Sequence, residues 1–415
     1  MDTDERGFWW GERPRESPVG ARWAFFRVVL LVSLQLIFNM TAKFQTRRDF
    51  IKTTALAAAA APFAGALTPR AFAAEPDKKL GVALVGLGSL STHQIAPALQ
   101  HTKYCRLAGI VTGTPAKAET WKAQYNIPDR SIYNYDTMEK MADNPDIDIV
   151  YVVTPNALHA EHTLKAARAG KHVLCEKPME ATSEKCQQMI DACKQAGRQL
   201  AIAYRCRFDP HHIECIRLAR EKVFGNLQFI EACFDIRLNQ PPTAWRFHKD
   251  LAGGGCLMDV GIYALQATRF ISGEEPVLVS GMVTTTDPVK FKEVEESIVW
   301  QAKFPSGVVA YCNASYNSGI FARYTARADK GWFEMNPAFY YKGNGGRRSD
   351  GQAIRYPEVD ALGDYYGFAA ELDDFAQCIT NHQPSRVPGE EGLRDVKIMM
   401  AIYESVRTGK AVSLA

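Results

Sequence analysis

From Leu80 onward the chain alternates short apolar runs with stretches whose apolar residues recur at helical spacing. Residues 81–85, 106–111, 147–153, 172–175 and 199–203 read as strands, with helical spacing over 159–169 and 183–196. Strand, helix and strand repeated in this order predict a parallel, doubly wound α/β sheet. Beyond residue 205 the pattern changes. Along 227–238, Ile230, Ala232, Phe234, Ile236 and Leu238 alternate with Glu231, Cys233, Asp235 and Arg237, the period of a half-buried strand. Further runs at 277–285, 294–304, 308–316 and 324–328 read as strands, and two helices over 366–380 and 390–408 close the chain. Strands followed by helices indicate an α+β second domain, so the expected division is 74–205 and 206–415.

Ahead of this pattern lies a segment of different character. Thr46-Arg47-Arg48-Asp49-Phe50-Ile51-Lys52 resembles a twin-arginine export signal, an alanine-rich apolar stretch follows over 55–66, and Ala71-Phe72-Ala73 offers a small-x-small cleavage site. The expectation is a signal peptide over 40–73, starting at Met40 and cleaved after Ala73, with 1–39 a misassigned upstream extension. The alternative is an anchor at 28–38, but that run is about eleven residues where a bilayer needs roughly twenty. A twin-arginine route exports folded protein to the periplasm, so a nucleotide cofactor would be acquired before export.

Composition narrows the classes. The 415 residues carry a formal net charge of +3 with no long basic run, which gives no support for nucleic acid or an anionic membrane as the main partner. Ten cysteines are scattered singly from Cys105 to Cys378, without a CxxC pair or a zinc-like Cys/His spacing, so no metal is expected. Their even count leaves disulfides open, but Cys175, Cys233 and Cys312 inside strand-like runs favour buried thiols.

The candidate chemistry begins where the first strand runs into Gly86-Leu87-Gly88-Ser89-Leu90-Ser91, with a helix expected over 94–100. Glycines there permit a tight turn and let backbone N–H groups approach a pyrophosphate at the helix N-terminus. The third fingerprint position holds Ser91, small but neither Gly nor Ala. Following the first strand of a repeated βα series, this loop marks a dinucleotide site. An NAD site places an acid after the second strand, about twenty residues on, to accept from the ribose 2′-OH. Here Thr112-Gly113-Thr114-Pro115-Ala116-Lys117 holds none, and Thr112 and Lys117 suit a 2′-phosphate, which favours NADP. Thr154-Pro155-Asn156-Ala157-Leu158-His159 and Cys175-Glu176-Lys177-Pro178 follow the next two strands, at the carboxyl edge where ligands bind. By position alone, Lys177 reads equally as a cleft residue or as a surface lysine before a turn.

Together with Tyr204-Arg205 and the glycine-rich approach at 253–263, these motifs resemble the Gfo/Idh/MocA oxidoreductase family, and within it the periplasmic glucose–fructose oxidoreductases. The resemblance covers about 80–413. It implies a Rossmann domain followed by a domain with a large, mostly antiparallel sheet that serves as the interface of a homodimer or homotetramer. It places Gly86, Leu87, Gly88, Ser89, Leu90, Thr112, Gly113, Lys117, Tyr135, Pro155, Asn156, His159, Glu176, Lys177 and Arg205 on the cofactor. Lys177, Trp245, Arg246, Asp259 and Tyr263 then fall to a sugar.

For catalysis the resemblance implies Tyr263, Asp259 and Lys177. Asp259 and Tyr263 are four apart, which on a helix puts them on one face. Oxidising a cyclic sugar at C1 requires a base for the anomeric hydroxyl proton, and Tyr263 can serve if its pKa of about 10 is pulled toward neutrality. Lys177 is the expected neighbouring cation. Asp259 would bind sugar hydroxyls or orient the proton relay. The expected activity is oxidation of an aldose to its lactone, with the hydride passed through tightly held NADP to a second sugar. The alternatives are a sugar dehydrogenase or reductase with exchangeable NAD(P), and a non-catalytic sugar or nucleotide sensor on the same fold. The long arm that covers the cofactor in glucose–fructose oxidoreductases is replaced here by about half a dozen residues, 74–79.

Overall fold

The computed structural model describes residues 78–414. The export motif, the cleavage site at Ala73 and the proposed extension over 1–39 lie outside the described residues.

Six strands form the first sheet: β1 (Leu80–Val85), β2 (Cys105–Val111), β3 (Ile132–Tyr133), β4 (Ile149–Val152), β5 (His172–Glu176) and β6 (Leu200–Ala203). Their order is β3-β2-β1-β4-β5-β6 and every pairing is parallel. Such a sheet is covered on both faces, which explains why Val82 through Val85 and all of β4 are fully buried rather than alternating. The order reverses between β1 and β4, and the crevice at that switch point is where a ligand sits in such folds.

Connecting helices include α1 (Pro115–Tyr125), α2 (His159–Arg168), α3 (Ser183–Gln195) and α4 (Pro210–Arg220). α2 and α3 match the periodic segments, and Thr182 caps α3 by accepting from the Lys185 N–H. α1, α4 and the two-residue β3 escaped the pattern. The helix expected over 94–100 begins earlier, as a π-turn over Ser91–Ile95 that runs into Ala96–Leu99.

The second sheet has nine strands in the order β14-β13-β12-β11-β7-β10-β9-β8-β15. Its centre is β7 (Leu227–Arg237), which pairs parallel with β10 (Val309–Ser315) and antiparallel with β11 (Asn317–Ala328). β8 (Leu278–Thr284) and β9 (Ser297–Lys303) continue antiparallel, and the far edge is built from β12 (Gly331–Met335), β13 (Gly346–Arg348) and β14 (Ala353–Ile354). β11 starts seven residues before the expected 324, because an irregular register between Asn317 and Phe321 hides its alternation. One face, with Ile230, Ala232, Trp300 and Ala310, is buried, and α5 (Ile262–Ser272) packs there on β7 and β10. The other exposes Phe229, Met282, Val299 and Tyr311.

The last two helices are not confined to this sheet. α6 (Tyr366–Thr380) packs against β2 and β6 of the parallel sheet. α7 (Gly389–Thr408) lies on α3 and β6 as well as on β8. β15 (Val412–Ser413) then completes the edge beside β8.

Candidate active site

At the end of β1 the backbone turns at Gly86 with φ of 92°, and a Cβ there would sit 2.7 Å from the Val153 carbonyl oxygen, so the turn requires glycine. Ser91 is buried and its hydroxyl donates to the Gly86 carbonyl at 2.5 Å, closing the loop from within. A small polar residue therefore replaces the third glycine without opening the turn. No atom lies within 4 Å of a Cβ built on Gly88, which leaves the loop open toward the cleft. Lys117 on α1 reaches back and donates to the Leu87 carbonyl at 3.2 Å, which places its ammonium at the loop.

This loop forms one end of a cleft of about 650 Å³. Every residue that the sequence assigns to cofactor or sugar lines it: Gly86 to Leu90, Thr112, Gly113, Lys117, Tyr135, Pro155, Asn156, His159, Glu176, Lys177, Arg205, Trp245, Arg246, Asp259 and Tyr263. The carboxylates in that lining are Glu176 and Asp259, beside Lys177, and none stands near Thr112 or Lys117. The donor set at the loop end thus fits a dinucleotide carrying a 2′-phosphate.

Some of these side chains shape the wall rather than offer themselves to a ligand. His159 is buried with its ring nitrogens 3.0 Å from the Pro178 carbonyl and 2.8 Å from the Thr154 carbonyl, tying the exit of β4 to the turn after Lys177. Asn156 donates to the Ala252 carbonyl at 2.8 Å and so joins the segment after β4 to the start of the glycine-rich approach. Tyr135 stacks on His162 with ring centroids 5.0 Å apart. Burial pushes the His162 imidazole down to about 4, so that neighbour is neutral.

At the opposite end the glycine-rich approach delivers Asp259 and Tyr263. A Cβ on Gly255 would stand 2.1 Å from the Glu295 carbonyl oxygen. That close approach lets the Glu295 carboxylate accept from the N–H groups of Gly255 and Leu257, at 2.8 and 2.9 Å, and anchor the start of the helix. The first turn is a π-turn, Leu257–Gly261, which runs into α5. Asp259 and Tyr263 line the same cleft, but one sits on the widened turn and the other on regular helix.

Asp259 is the hub. Lys177 Nζ donates to its backbone carbonyl at 2.7 Å and to Oδ1 at 3.2 Å, and Arg246 Nε and the Tyr316 hydroxyl donate to Oδ2 at 2.9 and 3.0 Å. Burial alone would raise this carboxyl. Arg246 and Lys177, with the hydrogen bonds from Arg246 and Tyr316, outweigh it and hold the group well below the usual carboxylate range. Arg246 in turn lies over the Trp245 ring at 4.5 Å.

Tyr263 lies between two cations, with Lys177 Nζ 4.9 Å and Arg205 Cζ 5.0 Å from its ring centroid. The expectation that Lys177 draws its pKa toward neutrality does not hold. Burial raises the phenol above its ordinary value, and the cation that opposes this is Arg205, by charge and hydrogen bond. Lys177 is instead committed to Asp259. Arg205 is buried and held in place by donating to the carbonyls of Phe339 at 2.6 Å and Tyr340 at 3.2 Å.

The sequence did not point to Gln240, Tyr341 and Phe368 in the lining, or to Tyr316 on Asp259. Tyr341 carries the Arg205 guanidinium 4.7 Å from its ring and packs on Phe368 with centroids 5.5 Å apart. These residues come from distant segments, and no local spacing signals them. Among the described residues no group of three or more His, Cys, Asp or Glu is arranged to hold a metal. Nine of the ten cysteines are buried, with Cys206 partly exposed.

Known proteins match this arrangement over most of its length. Residues 80–204 match the oxidoreductase family with an NAD-binding Rossmann fold, and 212–334 match the GFO/IDH/MocA C-terminal domain. The chain is similar to a D-xylose 1-dehydrogenase [NADP(+)] of Haloarcula marismortui, at 30% identity over 81% of this chain and 94% of that protein. It is similar at 26% to a 1,5-anhydro-D-fructose reductase of Ensifer adhaerens, over 67% and 83%. Among solved structures, an aldose-aldose oxidoreductase from Caulobacter crescentus complexed with glycerol superposes with a TM-score of 0.77 at 43% identity, covering 81% of this chain and all of that one.

Proposed function

This chain belongs to the Gfo/Idh/MocA oxidoreductase family, and within it we propose an exported, NADP-dependent sugar oxidoreductase that converts an aldose to its lactone and reduces a second sugar in turn. The observation that carries the reading is the pairing of Tyr263 with Arg205 and Lys177 at one end of a cleft whose other end is a glycine loop without acids. Similarity to an aldose-aldose oxidoreductase at 43% identity supports two sugars rather than one.

NADP, when bound, supplies the hydride acceptor and donor. Gly86, Gly88 and Ser91 shape the loop for its pyrophosphate, and Thr112 and Lys117 provide the donor and the charge for its 2′-phosphate. Tyr263 takes the anomeric hydroxyl proton as C1 is oxidised and returns a proton to the carbonyl oxygen of the second sugar. Arg205 favours the phenolate and so opposes part of the effect of burial. Asp259 stays ionised, so it fixes the Lys177 ammonium, and the remaining N–H of that ammonium is available to a sugar oxygen. Trp245 and Arg246 provide a flat surface and a donor beside it.

Export in the folded state, through the motif at Arg47-Arg48, fits a protein that must carry its cofactor with it. The exposed Phe229, Met282, Val299 and Tyr311 suit the interface of a homodimer or homotetramer. A second reading, a dehydrogenase that exchanges NADP, is favoured by similarity to the NADP-linked xylose enzyme. Purified protein incubated with two aldoses and no added nucleotide separates the two. Lactone and reduced sugar should appear in equal amounts. Lactone that forms only when NADP is supplied replaces the two-sugar reading with the exchanging one.

A further inference from the structure

Beneath Lys177 lies a chain of titratable groups that the reaction above does not use. Tyr151 on β4 places its hydroxyl 2.9 Å from Oε1 of Glu176 at the end of β5 and 3.0 Å from Oε1 of Glu371 on α6. All three residues are buried. A phenol has a single hydrogen and can donate to only one of these oxygens. The other contact would set two lone pairs 3 Å apart unless that carboxyl carries a proton and donates to the phenol oxygen. The geometry therefore requires one proton more than the phenol's own.

The surroundings say which end holds it. Glu176 lines the cleft, and its Oε2 accepts from the Lys177 N–H at 3.2 Å. Burial raises the Glu176 carboxyl too, but Lys177 and Arg205 stand against it and favour its charged form. Glu371 is 1% exposed, and its Oε2 has no hydrogen-bond partner among the described residues. An orphaned oxygen on a buried carboxylate is costly, whereas a neutral acid tolerates it better. The charged and titratable groups that face Glu371 are Glu176, Tyr151, Arg205 and Cys206, and the one cation among them is committed to the carbonyls of Phe339 and Tyr340. Burial, then the Glu176 charge, pushes the Glu371 carboxyl up.

We propose that Glu371, Tyr151 and Glu176 form a proton store under the cleft, holding one shared proton at neutral pH with its acid end on Glu371 and its accepting end on Glu176. Uptake of a second proton takes the triad from one negative charge to none, and only O–H bonds change. The accepting end faces the cleft in which the anomeric hydroxyl gives up its proton. Use of the store in turnover rests on the reaction proposed above, whereas the resting proton count does not.

Two measurements test these parts separately. Infrared difference spectra of the ligand-free protein at pH 7, wild type minus Glu371→Gln, should show the carbonyl stretch of a protonated carboxylic acid that shifts in D2O. A difference that contains carboxylate bands alone overturns the store, whether or not any sugar is turned over. Should Glu371→Gln not fold, Tyr151→Phe should keep the acid band and move its frequency, since the hydrogen-bond acceptor is gone; an unmoved band overturns the triad. In a single half-reaction followed with a pH indicator, wild type should release less proton per lactone than Glu176→Gln, which lacks the accepting carboxylate. Equal release by the two proteins overturns the use of the store in turnover, and the infrared result alone decides the resting proton.

Discussion

At the start of the segment 257–272, Asp259 meets Lys177, Arg246 and Tyr316; near its end, Arg269 meets Asp395, Glu275 and Glu391. The charged side chains of the Asp259 cluster face the cleft and are 13–28% exposed. The Arg269–Asp395 pair is 2% and 0% exposed, and Asp395 also accepts from Tyr204 at 2.6 Å and Gln266 at 2.7 Å. One cluster leaves donor capacity for a ligand. In the other, Arg269 and Asp395 spend their capacity inside the protein and clamp α5 to α7 and to the end of β6. A single stretch of helix thus separates chemistry from anchorage along its length, and Tyr263 stands between the two.

That separation can be broken from either end. The largest effect is expected at the cleft end, where Tyr263→Phe should lower kcat by about 10²- to 10⁴-fold, the usual contribution of a positioned acid–base group. Its melting temperature should stay near that of wild type, and full activity would remove the proton-transfer role. At the buried end, Asp395→Asn leaves the Arg269 charge without its main partner and should cost about 3–5 kcal/mol in denaturant unfolding. Activity of the folded fraction should persist, and a variant as stable as wild type would refute the clamp.

The smallest effect sharpens the comparison through pH. Asp259 has a folded pKa below its unfolded value of about 3.9, so its stabilisation is fully present above about pH 5 and is lost as pH falls through the folded value. The stability gap between wild type and Asp259→Asn should be constant near neutrality, about 1–2 kcal/mol for a partly solvated pair, and should narrow below about pH 4. A gap that widens with acid would reverse the sign assigned to Asp259.

What the sequence made legible follows from locality. The parallel strands other than β3 are continuous apolar runs, and α2, α3, α6 and α7 carry strong periodicity, so these elements were readable to within a few residues. The loop at Gly86 and the Lys177 turn were readable because the chemistry there is a contiguous motif. α1 was not, since Ala118 and Trp121 are its only buried residues. β3, β13, β14 and β15 have two or three residues each, too few for alternation to register. In the site, Tyr316, Tyr341 and Glu371 arrive from distant segments and meet their partners only after folding. The expected partner of Tyr263 failed for the same reason: which cation reaches a phenol depends on what else that cation holds, and Lys177 already holds Asp259.

The π-turn at Leu257–Gly261 has a further meaning. Such a turn is an α-helix that has gained one residue, and each residue of an ordinary helix advances the side chains by about 100°. The angular offset between Asp259 and Tyr263 is therefore a counted quantity, fixed by a single insertion rather than by loop flexibility. A helix one residue shorter there would turn the Asp259 side chain by about 100° relative to Tyr263 and so away from Lys177.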